Sequence, residues 1–574
     1  MLVVAAVGVA LAAVLPRTAM AGTITADVVV YGSTPAGITA AVQAKRMGRS
    51  VVLISQRRRI GGMTTGGLSQ VDIGNKSAYS GLALQFFRDV KAHYDRPGSW
   101  TRQAKESYKP EVWDIKSPTN GYEDTMWTFE PHVAEAILEK WIADAGVTLV
   151  RGEWLDRGAG GVVKKGGRIV AIRTLDGAWR PTGRAYAGKV FLDCSYEGDL
   201  MAAAGVSYVV GRESNGTYGE TLNGYQPKQA NHELVAGIDP YVTKGDATSG
   251  LLPGIRAHAT VENRETGSGD GFVQSYNYRL CLTTNQDNCI RFTAPPGYDA
   301  SRYELLFRAI AAGDDMTHKN ECPMPNGKTD TNNDGGVSTD YIGMSWEYPE
   351  AAYARRAEIA LDHLRYVQGL FYTLANDPRV PAETRALYSD HGVCSDEFTD
   401  SPYGTGWSDE LYVRESRRMV GAYVMTEGNI RGTAVAPKEI ARGSYGIDSH
   451  AVQRYVGADG CVHNEGNIQW QTNLLQGATY PIGYGAVTPK RSECENLLVA
   501  FCLSASHCAF GSIRMEPVLF ELGQACGAAA AIAVEDGCAV QDVPYAALRV
   551  RKYDTRPPRK QQRGRALRSQ HLPE

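Results

Sequence analysis

The chain has 574 residues, 43% of them hydrophobic and 21% charged, and a formal net charge of −3. That length exceeds what one compact core serves, so at least two packed lobes are expected. A near-neutral charge balance gives no reason to expect nucleic acid or an anionic membrane surface as partner.

Residues Leu2–Leu15 form an apolar run, followed by Pro16 and the small-residue site Ala19-Met20-Ala21. The run is too short to span a bilayer and reads as a signal peptide over residues 1–21, although the usual basic start is missing. A secreted or periplasmic protein without a membrane span is expected. The eleven cysteines show no CxxC and no Cys/His zinc spacing, so some are expected as disulfides. Cys281 and Cys289 flank the polar stretch Thr283–Asn288 and are candidates for stapling a loop.

Asp27–Tyr31 reads as a buried strand, Pro35–Met47 as a helix ended by Gly48, and Val51–Ile54 as a second strand. Together they make a βαβ unit with parallel pairing. Its turn, Gly32-Ser33-Thr34-Pro35-Ala36-Gly37, puts helix N-terminal N–H groups where a pyrophosphate would sit. Gly32 permits the turn, Gly37 permits close packing, and Thr34 stands where the full glycine fingerprint has its middle glycine. The second strand ends in Ser55-Gln56 instead of an acidic residue, which leaves uncharged groups for ribose hydroxyls. Gly61-Gly62-Met63, soon after it, implies a second close backbone approach to a long, bent dinucleotide, which suits FAD better than NAD.

Residues 77–124 are aromatic and charged without a clear period and read as an insertion. Glu130-Pro131 opens a helix that ends at Gly146, Val162–Thr174 reads as a hairpin, and Lys189–Asp193 as a buried strand. From about Gly205 to Pro437 long polar loops dominate, with the clearest helix at Glu350–Ala375. The run Asp330–Gly335 opens like a calcium loop, but its twelfth position is Tyr341, so no metal is expected there. Arg414, Arg417 and Arg418 are spaced to share one helix face. Strand and helix character returns after Ser444, with a strand at Asn496–Ala500 and an Ala/Gly-rich helix opening at Glu516-Pro517. A basic tail covers residues 549–574 and is expected to be disordered.

Several stretches carry a family resemblance: Asp193-Cys194-Ser195-Tyr196-Glu197-Gly198-Asp199-Leu200, Gly211-Arg212-Glu213-Ser214, Tyr412–Met419, Asp448-Ser449-His450 and Ser512–Pro517. With Gly61-Gly62-Met63, they resemble the FAD-dependent oxidoreductase family of the two-dinucleotide-binding flavoproteins. The likeness is greatest to its secreted microbial branch, sometimes labelled xanthan lyase. The resemblance implies an α/β protein with a Rossmann-like FAD-binding lobe built from both chain ends (residues 22–204 and 441–548). A mixed α+β substrate lobe would occupy residues 205–440. It implies FAD held by Gly32, Thr34, Pro35, Ala36, Gly37, Ser55, Gln56, Gly61, Gly62, Met63, Asp193, Met515 and Gly523. The helix from Glu516 would face the flavin pyrimidine.

For the chemistry, His450 is the candidate base that takes a hydroxyl proton as hydride passes to flavin N5. Arg414 and Arg514 are candidates for substrate or cofactor contact. The expected activity is oxidation of an alcohol-bearing small molecule, a carbohydrate by family likeness, with a separate electron acceptor. The alternatives are a flavin-containing lyase or isomerase without net redox, and a non-catalytic carbohydrate-binding protein.

Overall fold

The computed structural model describes residues 22–109, 122–228, 231–314, 316, 321–470 and 478–553. The expected signal peptide lies outside them, as does the tail from residue 554 onward.

The first strand, β1 (Gly22–Tyr31), leads through the glycine turn into α1 (Pro35–Arg46) and back into β2 (Val51–Ser55), which pairs parallel to β1. Pro35 at the first turn starts α1 and Gly48, at φ +80°, lets the chain leave it. The stretch expected as an insertion contains a full helix, α2 (Gly81–Tyr94), whose Phe86 and Phe87 are in the core against Trp127 and Phe520. Next come α3 (Pro131–Ala145), ended by Gly146 in the left-handed region, and β3 (Thr148–Arg151), parallel to β2. Strands β4 (Trp154–Leu155), β5 (Val162–Lys165) and β6 (Arg168–Leu175) are antiparallel additions. The long β7 (Pro181–Asp193) serves both sets: it is antiparallel to β6 and parallel to β1.

The middle of the chain builds a separate antiparallel sheet from β8 (Leu280–Thr283), β9 (Cys289–Arg291), β10 (Glu321–Met324), β11 (Lys328–Thr331) and β12 (Gly392–Cys394). Its order is β9-β12-β8-β11-β10. Helix α4 (Tyr353–Asn376) buries Tyr366, Val367, Leu370 and Phe371 in a core of its own with Leu282, Phe307 and Val393. Asp330 on β11 fastens this sheet to the first lobe: it pairs with Arg279 at 2.6 Å and accepts the Ser69 and Gln70 N–H groups. The calcium-like run therefore opens in a strand, with its first carboxylate already committed to an arginine.

After the short β13 (Ile447–Ser449), the chain returns to the main sheet as β14 (Leu497–Val499), parallel to the end of β7. Helices α5 (His507–Ile513) and α6 (Glu516–Asp536) follow. The parallel part of the main sheet thus reads β14-β7-β1-β2-β3, with its carboxyl ends gathered at the β1–α1 turn. A mixed α/β architecture of this kind places a ligand where the strand order reverses, outside those carboxyl ends. Helix α6 is apolar and long enough to cross a membrane, but it is buried in the core. It lies tight on α1: a Cβ on Gly523 would run into the Ala36 carbonyl, and one on Gly527 into that of Ala40. Gly523, expected at the cofactor, is a helix-packing glycine. The residues from Tyr545 to Arg551 form a helix, so the expected tail does not begin at 549.

Candidate active site

The β1–α1 turn is shaped for close approach. Gly32 sits at φ +96°, and a Cβ there would lie 2.5 Å from the Ser195 N. Gly37 faces the Gly32 carbonyl with no room for a methyl group. Thr34, the N-cap of α1, donates its hydroxyl to the Cys194 carbonyl at 2.7 Å and makes no capping bond. The first-turn N–H groups are thereby left for an anion.

This turn opens on a cleft lined by Ser33, Thr34, Gln56, Arg57, Gly62 and Ser195, among others. Gln56 lines it. Ser55 does not: its buried hydroxyl is shared with Ser33 Oγ at 2.7 Å and donates to the Arg57 carbonyl at 2.8 Å. Asp193 is likewise consumed internally. It accepts the Ser195 N–H and hydroxyl at 3.0 and 2.7 Å and the Met201 N–H at 2.8 Å, holding the turn after β7. Burial raises its pKa to about 6 against those bonds. Arg57 pairs with Glu410 at 3.1 Å, and burial raises Glu410 to about 7, so the acid opposite the turn carries little uncompensated charge.

Gly61-Gly62-Met63 docks on the same turn. The Gly61 N–H donates to the Ser33 carbonyl at 2.7 Å, and Gly61 and Gly62 adopt φ of +102° and +51°. A Cβ on Gly62 would collide with the Tyr196 hydroxyl. That hydroxyl accepts the Met63 N–H at 2.8 Å and donates to Glu516 at 3.0 Å, while Thr64 donates to Glu516 at 2.6 Å. Glu516 opens α6 directly after its N-cap, Met515. Burial raises its pKa to about 7 although both hydroxyls favour the ionised form.

Two residues before Glu516, a buried polar cluster begins. Arg514 donates to the Tyr412 hydroxyl at 2.8 Å and to the Asp448 carbonyl at 3.0 Å, and pairs with the Asp448 carboxylate at 3.2 Å. Asp448 Oδ2 lies 3.7 Å from His450 Nε2. On its other side the imidazole Nδ1 is 2.7 Å from Asp340 Oδ2, and Asp340 Oδ1 is 2.8 Å from Arg414 Nη1. Arg414 also lies over the Tyr412 ring, 4.6 Å from its centroid. The three residues singled out for chemistry, His450, Arg414 and Arg514, therefore occupy one cluster.

The electrostatics favour a neutral imidazole. Burial lowers the His450 pKa and the Arg414 charge lowers it further, which together outweigh Asp340 and Asp448. Burial opposes the charge on Asp340, but Arg414 and His450 win and hold it well below the usual carboxylate range. An ionised Asp340 accepting from Nδ1–H fixes the tautomer in which Nε2 carries the free lone pair.

The arginine spacing was misleading. Residues 412–417 form no helix, and only Arg418-Met419 is a short strand. Arg417 pairs with Asp199 at 2.8 Å and with Glu350 at 2.8 Å, and Arg418 with Glu415 and with Glu213 at 2.7 Å. An extended backbone lets each guanidinium reach a different acid. Sequence reasoning also missed Asp340, Tyr412, Tyr196 and Glu516 as site residues. Of these, Tyr196, Tyr412 and Glu516 lay within the family-like stretches without being given roles, and Asp340 carried no signal.

A sequence model described as FAD dependent oxidoreductase matches residues 27–551. The chain belongs to the FAD-dependent oxidoreductase family. FAD is its cofactor. The β1–α1 turn and Gly62 fit that cofactor: they line one cleft, and Thr34 leaves the first-turn N–H groups of α1 without a side-chain cap. No curated protein matches this oxidoreductase. Among solved structures it is similar to OxyS anhydrotetracycline hydroxylase from Streptomyces rimosus, at 11% identity and a TM-score of 0.24, over 37% of this chain and 36% of that one. L-amino acid deaminase from Proteus vulgaris matches at 16% identity and a TM-score of 0.23, over 34% of this chain and 55% of that one. A geranylgeranyl bacteriochlorophyll reductase-like protein from Thermoplasma acidophilum matches at 18% and 0.22, over 32% and 43%. The chain spans between about a third and a little over half of the length of these proteins.

Proposed function

We propose that this oxidoreductase oxidises an alcohol group on a small molecule, a carbohydrate, with His450 Nε2 taking the hydroxyl proton. The observation that carries the proposal is the Asp340–His450 pair: a buried imidazole held at Nδ1 by an ionised carboxylate, with Nε2 free and the ring neutral. Bound FAD supplies the hydride acceptor. The protein's own part is to accept a proton at Nε2, to fix the imidazole through Asp340, and to keep water from the site. Arg414 keeps Asp340 charged, and Arg514 holds Asp448 beside Nε2.

A polyol suits the groups around this pair. Ser275 Oγ, Asn277 Oδ1, Arg414 Nε and Nη2, and Arg514 Nε are buried without a hydrogen-bond partner. Buried polar atoms of that kind are costly unless a ligand satisfies them. The likeness to secreted family members favours carbohydrate, and the leader-like residues 1–21 favour export.

The test is anaerobic mixing of the holoenzyme with a panel of neutral and acidic sugars, read as loss of the flavin's visible absorbance. Bleaching by a sugar, with one carbonyl formed per flavin reduced, supports the proposal. Conversion of a polysaccharide to an unsaturated product without bleaching would instead mean a lyase.

A further inference from the structure

Outside the active site, the middle sheet gathers cysteines. All eleven cysteines are thiols, and the expected Cys281–Cys289 staple is not formed, because β12 lies between β8 and β9. What that strand brings between them is Cys394. Cys289 and Cys394 are register partners on β9 and β12. Leu282 is the partner of Val393 on β8 and β12, which sets Cys281 opposite Cys394 one step along. The three thiols form one row across three adjacent strands, on one face of the sheet. Cys281 and Cys394 are fully buried, with their Sγ atoms 3.5 Å apart, and Met324 and Phe398 close over them. Cys289 is part-exposed, and Gly392 makes room for it: a Cβ there would sit 2.6 Å from the Cys289 Sγ.

We propose that Cys289, Cys394 and Cys281 are a thiol–disulfide relay that takes a low-molecular-weight disulfide as oxidant and ends in a Cys281–Cys394 cross-strand disulfide. Register partners on antiparallel strands have Cα atoms about 4.5–5.5 Å apart, within the span of a disulfide. The buried pair is closed to a solvent oxidant, and burial raises the Cys281 thiol well above its usual pKa. Cys289 is the accessible thiol. Its thiolate attacks the oxidant, forming a mixed disulfide and releasing one equivalent of small thiol. Cys394 then attacks Cys289 Sγ, forming Cys289–Cys394 and releasing the second equivalent. Cys281 attacks Cys394 Sγ, forming Cys281–Cys394 and returning Cys289 as a thiol. The net change is two protein thiols oxidised and one small disulfide reduced to two thiols.

The bond would fasten β8 to the segment that runs from β12 to Glu410 and Arg414, the partners of Arg57 and Asp340. It needs no flavin chemistry and stands apart from the proposed activity.

The experiment is a time course of the reduced, folded full-length holoenzyme with oxidised glutathione, quenched by alkylation and mapped as unreduced peptides. The expected result is glutathione on Cys289 first, then a Cys281–Cys394 linked peptide lighter by two hydrogen atoms than the two thiols. Cys289→Ser, checked for folding by its flavin absorbance and thermal melt, should slow that linkage at least about tenfold. Recovery of Cys281 and Cys394 as alkylated thiols overturns the site. Linkage at an unchanged rate in Cys289→Ser, or without a prior adduct on Cys289 in the wild type, overturns the relay.

Discussion

His450 Nδ1 and Asp340 Oδ2 lie 2.7 Å apart although 110 residues of chain separate them. The pair does for this site what a carboxylate does for any catalytic imidazole: it selects a tautomer and orients the ring. His450→Gln, which removes the imidazole that accepts the proton, should lower kcat by about 10²–10⁴-fold with flavin content unchanged. Steady-state rates normalised to flavin absorbance check this. A variant within threefold of wild type, roughly, would remove His450 from the mechanism.

The pH profile follows from the same pair. A base works only when neutral, and His450 titrates below the ordinary 6.5 because burial and then Arg414 disfavour its charge. kcat/KM should therefore rise with pH through an apparent pKa below 6.5 and then level off. Arg414→Gln removes a charge that depresses the histidine, so the acid limb should move to higher pH. Asp340→Asn removes one that raises it, so the limb should move lower while kcat falls. Movement of both limbs in the same direction would contradict the assignment.

Two glycines with similar crowding should fail differently. Gly37→Ala puts a methyl group into the Gly32 carbonyl at the cofactor turn and should weaken FAD binding at least about tenfold. Gly523→Ala pushes α6 off α1 and should cost about 1–3 kcal/mol of stability. Flavin content and thermal melts separate the two effects.

Glu516 gives a stability prediction with a definite sign. Its pKa rises from 4.5 in the unfolded chain to about 7 in the fold, so folding binds a proton. The stability this contributes is fully present below 4.5 and is lost as pH rises through 7. Between about pH 5 and about pH 8 the wild-type apoprotein should lose about 2–3 kcal/mol more than Glu516→Gln. Denaturant melts at both pH values measure it; equal pH slopes would mean that Glu516 is not protonated in the fold.

Much of the nucleotide half was legible in the sequence because its signals are local. The strand, the glycine turn, the helix beginning at Pro35 and the second strand all fall within residues 27–55, and each has its own chemical reason. The site was legible only in part. His450, Arg414 and Arg514 could be named, but Asp340 could not, since only the tertiary fold brings it to His450 from 110 residues away, and to Arg414. Ser55 and Asp193 illustrate the opposite failure: each stands at a cofactor-contacting position in sequence, yet the fold spends its polar atoms on neighbouring turns. Arg414, Arg417 and Arg418 had helical spacing, but outside a helix each reaches acids of its own: Asp340 for Arg414, Asp199 and Glu350 for Arg417, Glu213 and Glu415 for Arg418. Helix α2 escaped notice because its aromatics lie in a stretch dense with charge.

The most direct measurement is the visible absorbance spectrum of the purified, undenatured protein, before and after incubation with FAD. The account predicts the two flavin bands in the native protein, or their appearance and retention through gel filtration after reconstitution. A protein that shows neither, while folded by its thermal melt, would contradict the assignment of this cleft to FAD and with it the proposed oxidation.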